Sequence, residues 1–143
     1  MFLEEFELGK RYVLGPILIT KEDLLEFARK YDNLPLHTDE EYAKKTRFGT
    51  LIAPGMFSLL TVWDRFLELN CFGDELIAGK STKTEWLKPV FVADTLTGEL
   101  VISRLTPRNK YNGIVESQLT VYNQKREIVL ESTTEVVVKR RSE

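Results

Sequence analysis

The chain has 143 residues, of which 43% are hydrophobic and 29% are charged, and its formal net charge at pH 7 is -2. This length and composition are typical of a soluble globular protein, and we expect a single domain over residues 1–143. Acidic and basic residues are scattered along the chain, without the basic stripe that nucleic acid binding requires. We therefore expect no nucleic acid partner.

Cysteine and histidine are scarce, since Cys71 and His37 are single examples of their kinds. One thiol cannot form an intramolecular disulfide, and one thiol with one imidazole argues against a zinc site, so we expect no metal. Cys71 is better interpreted as a small, partly buried residue than as the nucleophile of a catalytic Cys-His pair. No apolar run approaches the length of a membrane span and nothing suggests export, so we expect a cytoplasmic protein that does not bind membranes.

The first half of the chain has a helical character. Thr20, with Asp23 three residues later, resembles a capping box and predicts the start of a short helix. The apolar face of this helix is predicted to consist of Leu24, Leu25, Phe27 and Ala28. A second short helix is predicted to begin near Thr38 or Asp39 and to continue through Ala43.

A carboxylate and the imidazole lie five residues apart, at Asp32 and His37, between these two helices. Imidazole exchanges protons near neutral pH, and a nearby carboxylate can orient it or share that work. Pro35 blocks a regular helix and biases Leu34 towards an extended conformation. We therefore expect Asp32 and His37 to converge on a turn and not on a helix face. Without further context, such a pair is more often structural than catalytic.

The most apolar segment follows a loop over residues 46–54. It begins at Gly55 and continues to Leu67, with charge only at Asp64 and Arg65. A helix that is hydrophobic on nearly every side is expected to be buried by a structure that wraps it. The segment therefore predicts a central helix.

The second half of the chain is rich in Val, Ile, Thr and aromatic residues, and several stretches alternate apolar with polar positions. Four strands are predicted, near Lys80–Leu87, Thr95–Leu105, Gly113–Tyr122 and Ile128–Lys139. The four residues from Asn123 to Arg126 are typical of a hairpin connection. Helices followed by a run of antiparallel strands predict an α+β domain, with a sheet packed on the central helix.

Two segments carry a resemblance to a known family. In the first, Asp32, Pro35, Leu36 and His37 match a motif of Asp, any residue, Asn, Pro, an aliphatic residue and His. In the second, Phe48, Gly49, Gly55 and Met56 match a segment of the form Phe-Gly…Gly-Met. Together these segments resemble the MaoC-like (R)-specific enoyl-CoA hydratase family, which has the hotdog fold. Leu34 stands at the Asn position of the motif, and Pro54 stands where many members have His.

The resemblance implies an antiparallel sheet wrapped around a long central α-helix, and a homodimer whose sheets join edge to edge. It also implies an acyl thioester substrate, carried on coenzyme A or acyl carrier protein, with no cofactor beyond that carrier. The reaction implied is hydration of a 2-enoyl thioester or dehydration of a 3-hydroxyacyl thioester.

This reaction assigns roles to residues of both segments. Asp32 and His37 can hold a water and act as a general acid/base pair. The N–H of Gly55, at a helix N-terminus, can stabilise the enolate, and a glycine lets the thioester approach the backbone closely. Leu34, Pro54 and Met56 occupy positions beside these groups and are predicted to contact the substrate.

Two other functions stay open at the level of the sequence. Hotdog proteins also include acyl-CoA thioesterases, which release a free thiol. A non-catalytic module that binds acyl thioesters is the other alternative, and Leu34 at the Asn position of the motif is the feature that favours it.

Overall fold

Five strands and four α-helices form the part of the chain that the computed structural model describes, residues 1–141. A 3-10 turn at Leu3–Glu5 precedes the first strand. The helices are α1 (Lys21–Tyr31), α2 (Pro35–Thr38), α3 (Glu40–Lys44) and α4 (Gly55–Glu68). The strands are β1 (Arg11–Leu18), β2 (Leu76–Trp86), β3 (Thr95–Pro107), β4 (Asn112–Tyr122) and β5 (Ile128–Lys139).

The strands form one antiparallel sheet in the order β1-β3-β4-β5-β2. Alternate residues of β3 and β4 are buried, as expected for strands with one face on a core. The helix α4 supplies the other half of that core through Phe57, Leu59, Val62 and Phe66. A Cβ on Gly98 of β3 would lie 2.7 Å from a methyl carbon of Val62, so the helix packs directly on the sheet. The architecture is α+β, as predicted.

The four predicted strands are confirmed to within a few residues, and the connection at Asn123 is a turn between β4 and β5. The strand β1 was missed, because the first half of the chain was interpreted as helical in character. Gly15 and Pro16 interrupt its alternation, and its pairing with β3 shifts register between Leu14 and Ile17. Gly15 has a φ of +127°, and a Cβ there would lie 2.8 Å from the carbonyl oxygen of Leu96. Close backbone approach therefore requires a glycine at this position.

The predicted helix starts are confirmed in α1 and α3. The Thr20 hydroxyl accepts a hydrogen bond from the Asp23 backbone N–H at 3.2 Å, which satisfies one free donor of α1. The Asp39 carboxylate caps α3 by accepting from the N–H groups of Glu41 and Tyr42.

The prediction of a turn at His37 was wrong, because residues Pro35–Thr38 form the single helical turn α2. Proline fits the first position of a helix, where its missing N–H has no partner to lose.

The prediction that α4 is enclosed on nearly every side was wrong for one flank. Met56, Leu60 and Leu67 have exposed side chains on the side of α4 that faces away from the core. The helix has 14 residues. Within residues 1–141, no helix is long and apolar enough to span a membrane.

Candidate active site

Asp32 and His37 come together at the junction of α1 and α2. Asp32 is the C-cap of α1, and its backbone N–H donates to the carbonyl oxygen of Ala28 at 2.9 Å. Leu34 is extended, as predicted, and its carbonyl oxygen accepts from the N–H of His37 at 2.9 Å. This short connection places Asp32 Oδ2 at 3.4 Å from His37 Nε2. The imidazole is buried, with 8% of its side chain exposed, whereas the carboxylate is 38% exposed.

The other ring nitrogen of His37 fixes the tautomer. Nδ1 lies 2.7 Å from the carbonyl oxygen of Ile52. A carbonyl oxygen can only accept, so Nδ1 carries the proton and Nε2 of the neutral ring is an acceptor. Ile52 forms an antiparallel bridge with Phe91, which holds this carbonyl in place. The ring is therefore oriented by backbone that lies far from it in sequence.

Two hydrogen-bond acceptors therefore face each other, since Oδ2 of Asp32 lies 3.4 Å from the unprotonated Nε2 of His37. They cannot hydrogen-bond to each other unless the imidazole is protonated. One water can donate a hydrogen bond to each of them, and its oxygen lone pairs then point away from both. This arrangement suits a pair that activates a water and returns its proton.

Gly55 begins α4 and shares a cavity with His37, whereas Asp32 is not among the residues that line this cavity. Pro54 is the N-cap and has no polar side-chain atom, so no side chain of the N-cap satisfies the free N–H groups of the first turn. These N–H groups and the helix dipole favour developing negative charge. Gly55 and His37 both line a cavity of about 410 Å³, and Ser58, Ile52 and Trp86 contribute to the same wall.

Trp86 explains why residue 55 is a glycine. The indole Nε1 donates to the carbonyl oxygen of Gly55 at 2.8 Å, and a Cβ on Gly55 would lie 2.7 Å from the indole ring. The resemblance to the hydratases led us to expect a glycine here because the thioester must approach the backbone closely. In the structure, the space beside its Cα is filled by Trp86, so packing within the protein already requires a glycine.

The three residues predicted to contact the substrate lie at different places. Pro54 is buried at the start of α4. Met56 is exposed and lines a second cavity of about 470 Å³ between α4 and β2, together with Leu60 and Trp63. Leu34 has an exposed side chain and contributes its backbone carbonyl to α2. None of these three is among the residues that line the cavity beside His37.

Sequence reasoning gave no role to Ser58, Trp86 or Ile52. Ser58 is a hydroxyl residue within the apolar segment one turn after Gly55, which is a usable signal. Trp86 contacts Gly55 across 31 residues of sequence, so no local pattern connects the two. Ile52 acts only through its backbone carbonyl, so its side chain carries no signal.

Two positively charged side chains also line the cavity. Arg47 and Lys88 both line it, and the guanidinium of Arg47 lies 4.9 Å from the ring centre of Phe48. The ammonium of Lys88 pairs with the carboxylate of Glu127. Hydrogen bonds from Lys88 and Asn123 lower the pKa of Glu127, so that this carboxylate stays ionised and balances the lysine.

Cys71 lies in the hydrophobic core, and burial raises the pKa of its thiol. It is not among the residues of the cavity beside His37. Within residues 1–141, no group of three or more His, Cys, Asp or Glu side chains is placed to hold a metal ion.

A five-stranded antiparallel sheet packed on a central helix is the architecture of a hotdog-fold protein. The sequence profile of the MaoC like domain matches residues 5–123. The chain therefore belongs to the MaoC-like domain family, as the two motif segments predicted.

Three proteins are similar to the chain over nearly its whole length. YdeM of Bacillus subtilis (strain 168), described as uncharacterized, is 33% identical over 141 residues, which cover 98% of this chain and 100% of YdeM. The monoamine oxidase regulatory protein of Archaeoglobus fulgidus is 29% identical, with a TM-score of 0.89 and coverage of 99% of this chain and 96% of that one. The MaoC-like dehydratase of Rhodospirillum rubrum is 29% identical, with a TM-score of 0.83 and coverage of 100% and 99%.

Proposed function

We propose that this protein hydrates 2-enoyl thioesters, or dehydrates 3-hydroxyacyl thioesters in the reverse direction. The observation that carries the proposal is the opposition of two acceptors, Asp32 Oδ2 and His37 Nε2, 3.4 Å apart. Membership of the MaoC-like family and similarity to a MaoC-like dehydratase support the same class of reaction.

In the hydration direction, one water donates to both Asp32 and His37. As the water oxygen bonds to C3 of the substrate, one partner of the pair takes up the proton that the water loses. The electrons of the double bond move towards the thioester carbonyl, and a proton is returned from the pair to C2. The net change is addition of one water across the double bond, with the pair returned to its starting state.

The negative charge on the thioester oxygen needs donors that are already in place. We propose the N–H of Gly55 for this role, since the N-cap of α4 provides no side chain to occupy it. The reaction then needs no cofactor beyond the coenzyme A or acyl carrier protein on which the substrate is carried. Arg47 and Lys88 at the cavity are suited to the anionic phosphates of such a carrier.

The test is to incubate the purified protein with 2-enoyl-CoA thioesters of short, medium and long acyl chains. Hydration is followed as loss of the ultraviolet absorbance of the conjugated double bond. The proposal requires loss of this absorbance and formation of the 3-hydroxyacyl thioester. Release of free thiol from a saturated acyl-CoA would instead identify a thioesterase. Binding without turnover across the whole panel would identify a non-catalytic acyl-binding module.

We further propose that the protein forms a homodimer through β2. This strand is at one edge of the sheet, and most of its residues are exposed. Leu60 of α4 is exposed and lines a cavity together with residues 79–82 of β2. A second copy that pairs with the β2 edge would cover both features. The opposite edge strand β1 contains Pro16, which lacks the N–H needed for continuous pairing.

A further inference from the structure

Ser58 has an unusual environment for a hydroxyl. The residue is 1% exposed, and within residues 1–141 its Oγ has no hydrogen-bond partner. A serine in a helix commonly donates to the carbonyl four residues earlier, here Pro54. That carbonyl accepts the backbone N–H of Ser58 at 3.2 Å but not its hydroxyl. A buried hydroxyl without a partner is costly, so it needs an explanation in terms of a ligand or a bound water.

The position of Ser58 links it to the cavity beside His37. It lies one helical turn after Gly55, and it lines the same cavity as His37 and Gly55. Side chains of an α-helix tilt towards its N-terminus, so the Ser58 side chain lies over the turn that begins at Gly55.

We infer that the Ser58 hydroxyl is a second hydrogen-bond donor to the thioester carbonyl oxygen, alongside the N–H of Gly55. The inference rests on the proposed thioester substrate and assigns a catalytic contact that neither motif segment contains. The oxygen of the substrate carbonyl can accept two hydrogen bonds, one to each lone pair. It gains charge as the water adds, so both donors bind the transition state more strongly than the ground state. Binding of the carbonyl also satisfies the buried hydroxyl.

The variant Ser58→Ala removes the donor with little change in volume. We expect kcat for hydration to fall by roughly tenfold to a hundredfold, with a smaller change in KM. This loss is somewhat smaller than the loss in other enzymes when one oxyanion-hole donor is removed. The melting temperature should not fall, because the hydroxyl has no partner in the free protein. Ser58→Cys, which retains a weaker donor of similar size, should have an intermediate kcat.

Ser117→Ala is the matched control. Ser117 is also 1% exposed with an unpartnered Oγ, but it lies on β4 and not in the wall of this cavity. Both alanine variants remove a buried hydroxyl, and only Ser58→Ala should lose activity. Equal kcat in Ser58→Ala and the wild type, or equal losses in both variants, would overturn the assignment.

A second measurement separates this inference from the proposed reaction. The saturated thioester butyryl-CoA cannot be hydrated, and the infrared stretch of its carbonyl reports hydrogen bonds to that oxygen. We expect a shift to lower frequency on binding to the wild type, and part of that shift should be lost in Ser58→Ala. A full shift in Ser58→Ala contradicts the role of Ser58. A shift in the wild type without hydration of any enoyl thioester contradicts the proposed reaction alone, and no binding by the wild type contradicts both.

Discussion

The indole of Trp86 donates a hydrogen bond from Nε1 to the carbonyl oxygen of Gly55 at 2.8 Å. This contact joins the last residue of β2 to the first residue of α4. The edge strand proposed for dimer formation is therefore tied to the helix end proposed to bind the thioester oxygen. A change at either residue should affect the other, because the ring fills the space where a Gly55 side chain would lie.

Gly55→Ala should destabilise the protein by about 1–3 kcal/mol, the usual cost of adding a methyl group to a filled space. The measurement is the free energy of unfolding in urea. The double variant Gly55→Ala with Trp86→Ala should be less destabilised than the sum of the single variants, since the clash is removed. Gly79→Ala on β2 is the control, because a Cβ there meets nothing within 4 Å. Additive effects in the double variant would show that the ring does not restrict residue 55.

Asp32→Asn and His37→Ala should each reduce the rate of enoyl thioester hydration by roughly a hundredfold or more, the scale of a general acid or base. Each should retain a cooperative thermal transition. Asp74→Asn is a control for the first change, since Asp74 is exposed beyond the C-terminal end of α4. Full activity in Asp32→Asn or in His37→Ala would remove that residue from the mechanism.

The imidazole of His37 should be in the Nδ1–H tautomer when it is neutral, because Nδ1 donates to Ile52. The chain contains one histidine, so its ring nitrogen signals in a long-range ¹H–¹⁵N correlation spectrum need no further assignment. We expect a protonated Nδ1 and an unprotonated Nε2 above the pH at which the ring loses its charge. An Nε2–H tautomer would contradict the proposed presentation of two acceptors to one water.

Leu60→Glu should weaken the proposed dimer. Leu60 is exposed on the flank of α4 beside β2, where a second copy would bury a charge. Light scattering after size exclusion should give twice the 16.6 kDa chain mass for the wild type and a mass near 16.6 kDa for the variant. Leu8→Glu is the control, since Leu8 is exposed outside this flank. A wild-type protein of single-chain mass at micromolar concentration would contradict the dimer.

Local patterns predicted the strands of the second half because alternate residues there face a core. The same reasoning failed for β1, whose pattern is interrupted at Gly15 and Pro16. It also failed for the exposed flank of α4. An apolar residue in a helix indicates burial, but it does not show whether the covering surface belongs to the same chain.

The spacing of Asp32 and His37 predicted that they converge, since five residues with a proline cannot form a continuous helix. The spacing did not predict the single helical turn at His37, because proline also favours the first position of a helix. The roles of these residues in catalysis remain predictions for the experiments above.

The sequence by itself determined the family, the sheet-on-helix architecture and the acid–histidine pair, because each depends on residues close together in the chain. Only the tertiary structure decided which nitrogen of His37 faces Asp32, why residue 55 is a glycine, and which hydroxyl lacks a partner. These depend on Ile52, Trp86 and the fold around Ser58, which contact the site from distant positions or through backbone atoms. Such contacts leave no periodic pattern in the sequence, since they arise only when the sheet closes on the helix.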